Sequence, residues 1–404
     1  MLPLTPTLIA TLFLTGAGYF VAKGKANRLT GRLASLPHQY GLNAALSALL
    51  PGFGLMVLWL LADRIAARFD SALFQPQNAN LFPIAVSVVA GLFVGVAINN
   101  VKPDYNARTA SERWIRGALI TASSIAILTT VGIVFSMLRE SFAFFGQYDA
   151  TKFFFSAEWS PNFRGDSALG ILPLLWGTLY ISFIALVFSV PIGLFAAIYL
   201  SEYAGPKARA IVKPAIEVLA GIPTIVYGLF ALITVGPLLR DAIASPLGFG
   251  DSASSVMTAG LVMGIMLIPF VSSLSDDIIT AVPQSLRDGS LGLGATKSET
   301  IRQVVLPAAL PGVVGAILLA ASRAIGETMI VVLGAGAAAR LSMNPFEAMT
   351  TVTVKIVSQL TGDTDFNSPE TLVAFALGMT LFVLTLGLNV FALFIVRKYQ
   401  EQYE

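Results

Sequence analysis

Nine apolar stretches divide the chain, near residues 3–22, 43–62, 81–99, 115–138, 170–200, 214–238, 256–274, 308–334 and 372–396. Each is bounded by charges, Pro or Asn. A bilayer core of about 30 Å takes about 20 apolar residues per helix, and every stretch is near that length or longer. Barrel strands would alternate polar and apolar side chains over about 10 residues, and these stretches do not. The pattern predicts an all-α polytopic membrane protein with about nine transmembrane helices.

Composition agrees. Of 404 residues, 55% are apolar and 12% charged, and mean hydropathy is +0.77. A soluble domain carries about 25% charged residues. A soluble enzyme, a disordered regulator and a fibrous protein are therefore excluded. The net charge of +2 gives no global attraction to nucleic acid. There is no Cys and one His, His38. No disulfide framework, thiolate or His-cluster metal site, or Cys nucleophile is available. We expect no catalytic residue, no metal and no cofactor.

The first stretch has no basic residues before it; Lys23, Lys25, Arg28 and Arg32 follow it. That order predicts an uncleaved anchor with its N-terminus outside. In that arrangement the inner loops hold 16 Lys and Arg and the outer loops 8, the bias expected for an inside C-terminus. The twenty-fifth cation, Arg323, lies inside a stretch. The outer segment 139–169 carries Phe142, Phe144, Phe145, Tyr148, Phe153, Phe154, Phe155 and Trp159, which suits an interfacial aromatic belt or a docking surface.

Residues 1–99 carry almost no polar group at mid-span, whereas the later stretches contain Pro, Gly, Ser and Thr. A boundary near 100–114 gives an N-terminal extension, 1–110, with about three helices and a domain, 111–404, with about six. The longest inner loop is 275–307. It reads as a short helix, a break at Gly294, a second short helix and Pro307 opening the next span. A rigid hairpin between two spans suits force transmission to a cytosolic partner, although an ordinary folded loop has the same pattern.

The spacing in this loop resembles the EAA loop of ATP-binding-cassette importer permeases. That loop reads Glu-Ala-Ala, three residues, Gly, nine residues, Ile, one residue, Leu-Pro. Asp288, Gly289 and Ser290 take the Glu-Ala-Ala positions, and Gly294, Val304, Leu306 and Pro307 the rest. The departures are Asp for Glu, Gly-Ser for Ala-Ala and Val for Ile. Three further runs look like phosphate-importer permeases: Ser201-Glu202-Tyr203-Ala204, Glu217 through Gly228, and Ser322-Arg323-Ala324-Ile325-Gly326-Glu327-Thr328-Met329. Tyr227-Gly228 and Glu327-Thr328-Met329 resemble the PstC type. The resemblance covers about 115–400 and not the first three spans.

The resemblance implies a type I importer permease core with a three-helix extension, acting in an ATP-driven phosphate importer of the inner membrane. It implies a second permease of the PstA type, a cytosolic ATPase dimer of the PstB type and a periplasmic phosphate-binding protein of the PstS type. Asp288, Gly289, Ser290, Gly294, Leu306 and Pro307 would couple to the ATPase. No Gly-x-x-x-x-Gly-Lys-Ser/Thr run occurs: Leu291 and Thr296 stand where its glycines belong before Lys297-Ser298. ATP hydrolysis is expected in a separate subunit.

Arg323 lies 16 residues after Pro307, about 24 Å along a helix, at mid-depth or in the outer half. Glu327, at i+4, is placed to pair with it. One reading is a structural salt bridge. The other puts Arg323, Glu327 and Thr328 on a polar path for an oxyanion, since a guanidinium fork suits phosphate. Thr224, after Pro223, joins that path or marks a packing kink. Glu217 reads as an i,i+4 surface partner of Lys213, and Asp276 and Asp277 as solvated loop residues or partner contacts. Alternatives at this stage are a permease for molybdate or sulfate, a secondary transporter or channel, and a sensing scaffold.

Overall fold

The computed structural model describes residues 4–29, 33–66, 81–162, 167–362 and 368–400. Among the described residues nine helices are long and apolar enough to span a membrane, as the hydropathy pattern predicts. The loop cations Arg32, Arg68 and Arg164 lie outside the described residues. The chain forms two compact units, Met1–Gly132 and Ile133–Glu404.

In the first unit, α1 (Leu4–Arg28), α2 (Pro37–Ala66) and α3 (Leu81–Asn99) pack on one another. Small residues set their spacing. A Cβ on Gly18 would stand 3.2 Å from Val94 Cγ1, and one on Gly52 3.0 Å from Thr11 Cγ2. In lipid such close approach supplies the packing energy that the hydrophobic effect cannot supply between helices. The Tyr40 hydroxyl lies 3.0 Å and 2.8 Å from the carbonyls of Lys102 and Tyr105, pinning the turn before α4 (Ala107–Phe145). Helix α4 runs from the first unit into the second.

In the second unit, α5 (Ala150–Phe155) and a two-stranded hairpin, β1 (Trp159–Ser160) with β2 (Ala168–Leu169), follow α4. Asp149 caps α5 by accepting the Thr151 N–H at 2.8 Å. The short helix folds back, and Phe153 meets Phe144 edge-on at 5.4 Å with both rings fully buried. The expected aromatic belt is therefore corrected in part. Phe142, Phe154 and Phe155 remain exposed, but Phe144, Phe153 and Trp159 form a packed core with Leu174, Val352 and Leu372.

The centre of this unit is α6 (Leu172–Ile198) against α10 (Val256–Ala281). Gly260 faces Ile184, Gly264 faces Ala185 and Gly193 faces Val271, so the two helices run parallel with their backbones close. Between them in sequence lie a π-helical turn (Tyr199–Tyr203), the amphipathic α7 (Pro206–Ala220), and α8 (Thr224–Phe230). Helix α8 continues through π-helical turns and α9 (Gly236–Leu239) to Ala244. After α10 come α11 (Gln284–Gly292), α12 (Lys297–Thr300), α13 (Leu306–Ile325), α14 (Met329–Gly334), α15 (Val352–Gly362) and α16 (Pro369–Gln400).

Candidate functional site

The loop 275–307 is a helical hairpin whose boundaries differ from the sequence expectation. Helix α10 continues through Ala281, so Asp276 and Asp277 are helical. Helix α11 carries Asp288, Gly289 and Ser290, and its exposed Asp288 accepts from Gln284 Nε2 at 3.1 Å. Gly294 turns the chain at φ +89°, a left-handed conformation that a glycine adopts without penalty. The expected second short helix is α12, from Lys297, but Pro307 does not open a new span after it. Thr296 and Glu299 form a reciprocal capping box at the start of α12, satisfying two free N–H groups. The Ser290 and Thr300 hydroxyls lie 2.9 Å apart and close the hairpin. Leu306 and Pro307 follow a π-helical turn, Ile301–Val305, inside one continuous helical run from Lys297 to Ile325. At the tip, Leu293 is 91% exposed.

Two buried ion-pair clusters fasten this hairpin and α7 to the core. Arg287 on α11 reaches Glu202 at 2.8 Å and also donates to the Ile279 carbonyl at 2.8 Å and to that of Val282 at 2.5 Å. Asp276, only 1% exposed, accepts from Arg209 at 3.0 Å and from Lys213 at 2.7 Å, both on α7. Lys213 also pairs with Asp277 at 3.2 Å. Those carboxylates hold the Lys213 ammonium above the usual lysine range. Two expectations are corrected here. Asp276 is buried rather than solvated, and Lys213 pairs across to α10 rather than with Glu217.

The expected i,i+4 pair of Arg323 and Glu327 does not form. Helix α13 stops at Ile325, and Gly326 turns the chain away. The Glu327 carboxylate instead accepts the N–H groups of Met329 at 3.0 Å and Ile330 at 3.5 Å. It neutralises the free donors at the start of α14, where a negative charge is favoured. Arg323 is exposed and has no carboxylate within 4 Å among the described residues. Its guanidinium lies 5.6 Å from the Phe270 ring centroid, a cation–π distance. Phe270 is near the middle of the 26-residue α10. The guanidinium therefore sits at the middle of the helical layer.

Thr224 comes to the same level by a different route. Gly221, Ile222 and Pro223 interrupt the helix, and the Tyr227 hydroxyl donates to the Leu219 carbonyl at 2.8 Å, tying α8 across the break to the end of α7. Gly228 faces Met329 and Ile330, and Ala231 faces Gly334, so α8 and α14 run parallel in contact. Thr224 and the Glu327–Thr328 turn thus open two adjacent helices at the same end. Both threonines are half-buried, and neither hydroxyl bonds to another described residue. Thr353 at the start of α15 donates to the Glu327 carbonyl at 2.8 Å and fixes the turn.

The sequence reading missed Arg209, Glu202 and the burial of Asp276. A signal was present. Arg209 and Lys213 are like charges at i,i+4, which repel on one helix and so call for a carboxylate from elsewhere.

Residues 189–401 match the family described as binding-protein-dependent transport system inner membrane component. Residues 8–70 match a family described as phosphate ATP-binding cassette transporter, which extends the likeness into the N-terminal helices. The phosphate transport system permease protein PstC of Xylella fastidiosa is 32% identical over 308 residues, spanning 70% of this chain and 90% of that protein. The PstC of Pasteurella multocida is 37% identical over 261 residues, spanning 60% and 79%. In fold, a bacterial alginate ABC transporter crystallised with its alginate-bound periplasmic protein aligns with a TM-score of 0.52 at 16% identity, over 72% of this chain and 97% of that one. With more than half of its length matched, this chain belongs to the family of binding-protein-dependent transport system inner membrane components.

Proposed function

We propose that this chain is the permease subunit of an ATP-driven phosphate importer and that phosphate passes Arg323. The observation that carries this reading is an exposed guanidinium, free of any described carboxylate, halfway along the helical layer. Placing a cation there costs at least about 2.5–3.5 kcal/mol on insertion scales, a cost that an arriving oxyanion offsets. The PstC relatives and the phosphate-transporter match at residues 8–70 support phosphate as the substrate.

In this reading Arg323 meets the anion with parallel N–H donors. The hydroxyls of Thr224 and Thr328 add neutral donors beside it. Glu327, held on the α14 N-terminus, limits how tightly a dianion binds, so that release stays fast. The hairpin 284–296 docks on a cytosolic ATPase of the PstB type through Asp288, Gly289, Ser290 and Gly294, while Leu306 and Pro307 carry its motion into α13. A second permease of the PstA type completes the path, and a periplasmic protein of the PstS type delivers phosphate. Closure of the ATPases switches which side is open. The chain sits in the inner membrane with its N-terminus periplasmic and its C-terminus cytoplasmic. ATP hydrolysis belongs to the ATPase, and residues 1–110 form an extension to the permease domain 111–404.

The test is labelled phosphate uptake in phosphate-starved cells carrying wild-type or Arg323→Ala protein as the sole copy, at matched membrane levels. Unlabelled sulfate and molybdate serve as competitors. Loss of uptake in the variant, with wild-type uptake blocked only by phosphate, supports the reading. Unchanged uptake would leave Arg323 a structural residue, whereas wild-type uptake blocked by sulfate or molybdate would favour another oxyanion and no wild-type uptake a sensing role.

A further inference from the structure

Between Arg323 and α16 the described chain holds two further cations, Arg340 and Lys355. Arg340 is paired with Glu347 at 3.3 Å. Lys355 is not paired. Its ammonium donates to the Ala337 carbonyl at 3.1 Å, and no carboxylate lies within 4 Å among the described residues. The side chain is half-buried, and that burial pulls its pKa below the ordinary lysine value. A desolvated cation satisfied only by a neutral carbonyl is poised to exchange that partner for an anion, as a lysine closed on a carboxylate is not.

Its position follows from three contacts. Thr353, two residues earlier on α15, bonds the Glu327 carbonyl, so the first turn of α15 lies beside the turn that follows Arg323. Ala337, which holds the ammonium, comes three residues after the end of α14. The six residues of α14 rise about 9 Å from the Glu327 turn. Helix α13 runs from the cytoplasmic hairpin toward Arg323, and α14 runs parallel to α8, away from that hairpin. The Lys355 ammonium therefore stands beyond Glu327 on the side opposite the hairpin, about one α14 length further out.

We propose that Lys355 is a second cationic contact for the transported oxyanion, which the anion meets before Arg323. This rests on the transport reading above. An anion crossing a low-dielectric layer moves fastest over several weak sites in series, because one strong site would trap it. The lysine stem supplies a mobile point charge, and the arginine fork further in supplies directional hydrogen bonds.

The chain has no cysteine, so Lys355→Cys places a single thiol in it. The experiment measures oxyanion uptake by the whole transporter in cells, at matched membrane levels, for Lys355→Met, Lys355→Arg and Lys355→Cys. The last is assayed before and after reaction with 2-aminoethyl or 2-sulfonatoethyl methanethiosulfonate, with wild type as the reagent control. We expect Lys355→Met to lower uptake about tenfold and Lys355→Arg to stay within about twofold of wild type. Aminoethylation, which restores a cation, should raise Lys355→Cys uptake several-fold, and the sulfonate should not. Uptake by Lys355→Met within twofold of wild type, or Lys355→Arg and aminoethylated Lys355→Cys both as defective as Lys355→Met, overturns the proposal. If wild type carries sulfate or molybdate instead of phosphate and the series still behaves as expected, the phosphate reading fails and this contact stands. If wild type carries phosphate and Lys355→Met matches it, this contact alone fails.

Discussion

Arg287 on the α11 hairpin and Glu202 in the π-helical turn after α6 meet at 2.8 Å, with side chains only 12% and 10% exposed. The same guanidinium also holds the Ile279 carbonyl in the last turn of α10 and the Val282 carbonyl just after it. One side chain thus joins the hairpin to two central helices that run parallel, and a push on the hairpin reaches both.

Arg287→Met should therefore uncouple the transporter. Removing one partner of a mostly buried pair costs about 3–5 kcal/mol, because Glu202 is left without a counter-charge. The double variant Arg287→Met/Glu202→Gln should recover thermal stability without recovering transport. Thermal unfolding in detergent and ATP-driven uptake in proteoliposomes separate the two effects. Equal recovery of both would show that the pair is needed only for folding.

Asp276→Asn should release α7 from α10. The carboxylate is buried and accepts from Arg209 and Lys213, and hydrogen bonds to charged groups contribute about 1.5–3 kcal/mol each. Both cations are about one-third exposed and gain water, and Lys213 keeps Asp277 as a partner, so the net loss should be about 2 kcal/mol. Hydrogen exchange across 206–220 should accelerate while that of α6 stays slow. Uniform acceleration would mean that Asp276 supports the whole unit.

The spans were legible because their signal is length and apolarity, which the bilayer imposes on each helix separately. The hairpin was legible in outline, since Gly294 and the EAA-like spacing mark local turns. Its second short helix was legible as well, but Pro307 does not open the next span: the run that the Thr296-x-x-Glu299 capping box starts at Lys297 continues through Pro307 to Ile325. The Arg323–Glu327 pair failed for a related reason. Spacing arguments assume that the helix continues, and Gly326 ends it. Asp276, Arg209 and Glu202 were not legible as partners, because ion pairs between helices depend on which faces meet.

Two glycines should respond in opposite ways to alanine. A Cβ on Gly228 would meet Leu333 Cδ1 at 2.8 Å and the Met329 carbonyl at 2.9 Å, forcing α8 and α14 apart. Overpacking of this kind costs about 1–3 kcal/mol, and it would move Thr224 away from the Glu327 turn, so uptake should fall. A Cβ on Gly289 meets nothing within 4 Å. In the interior of α11, Gly289→Ala should gain about 0.5–1 kcal/mol, and because it puts at a docking position the alanine that the Glu-Ala-Ala pattern carries there, uptake should hold. The measurement is uptake with thermal unfolding for both variants; a harmless Gly228→Ala would show that the α8–α14 contact yields readily.

Glu327 separates structural from transport roles most sharply. Its carboxylate is the acceptor for the Met329 and Ile330 N–H groups. Glu327→Gln keeps a carbonyl oxygen there and loses only the charge, so the turn and its bond from Thr353 should persist. Glu327→Ala loses the acceptor as well, and loss of a capping side chain costs about 1 kcal/mol. A purely structural Glu327 predicts near-normal uptake for the Gln variant and a defect only for Ala. A carboxylate that tempers Arg323 predicts that Gln already slows phosphate release and alters discrimination between phosphate and sulfate, with thermal stability close to wild type. Single-turnover release of labelled phosphate and competition by sulfate decide between them. Unchanged release and discrimination in Glu327→Gln would leave Glu327 only as the cap of α14.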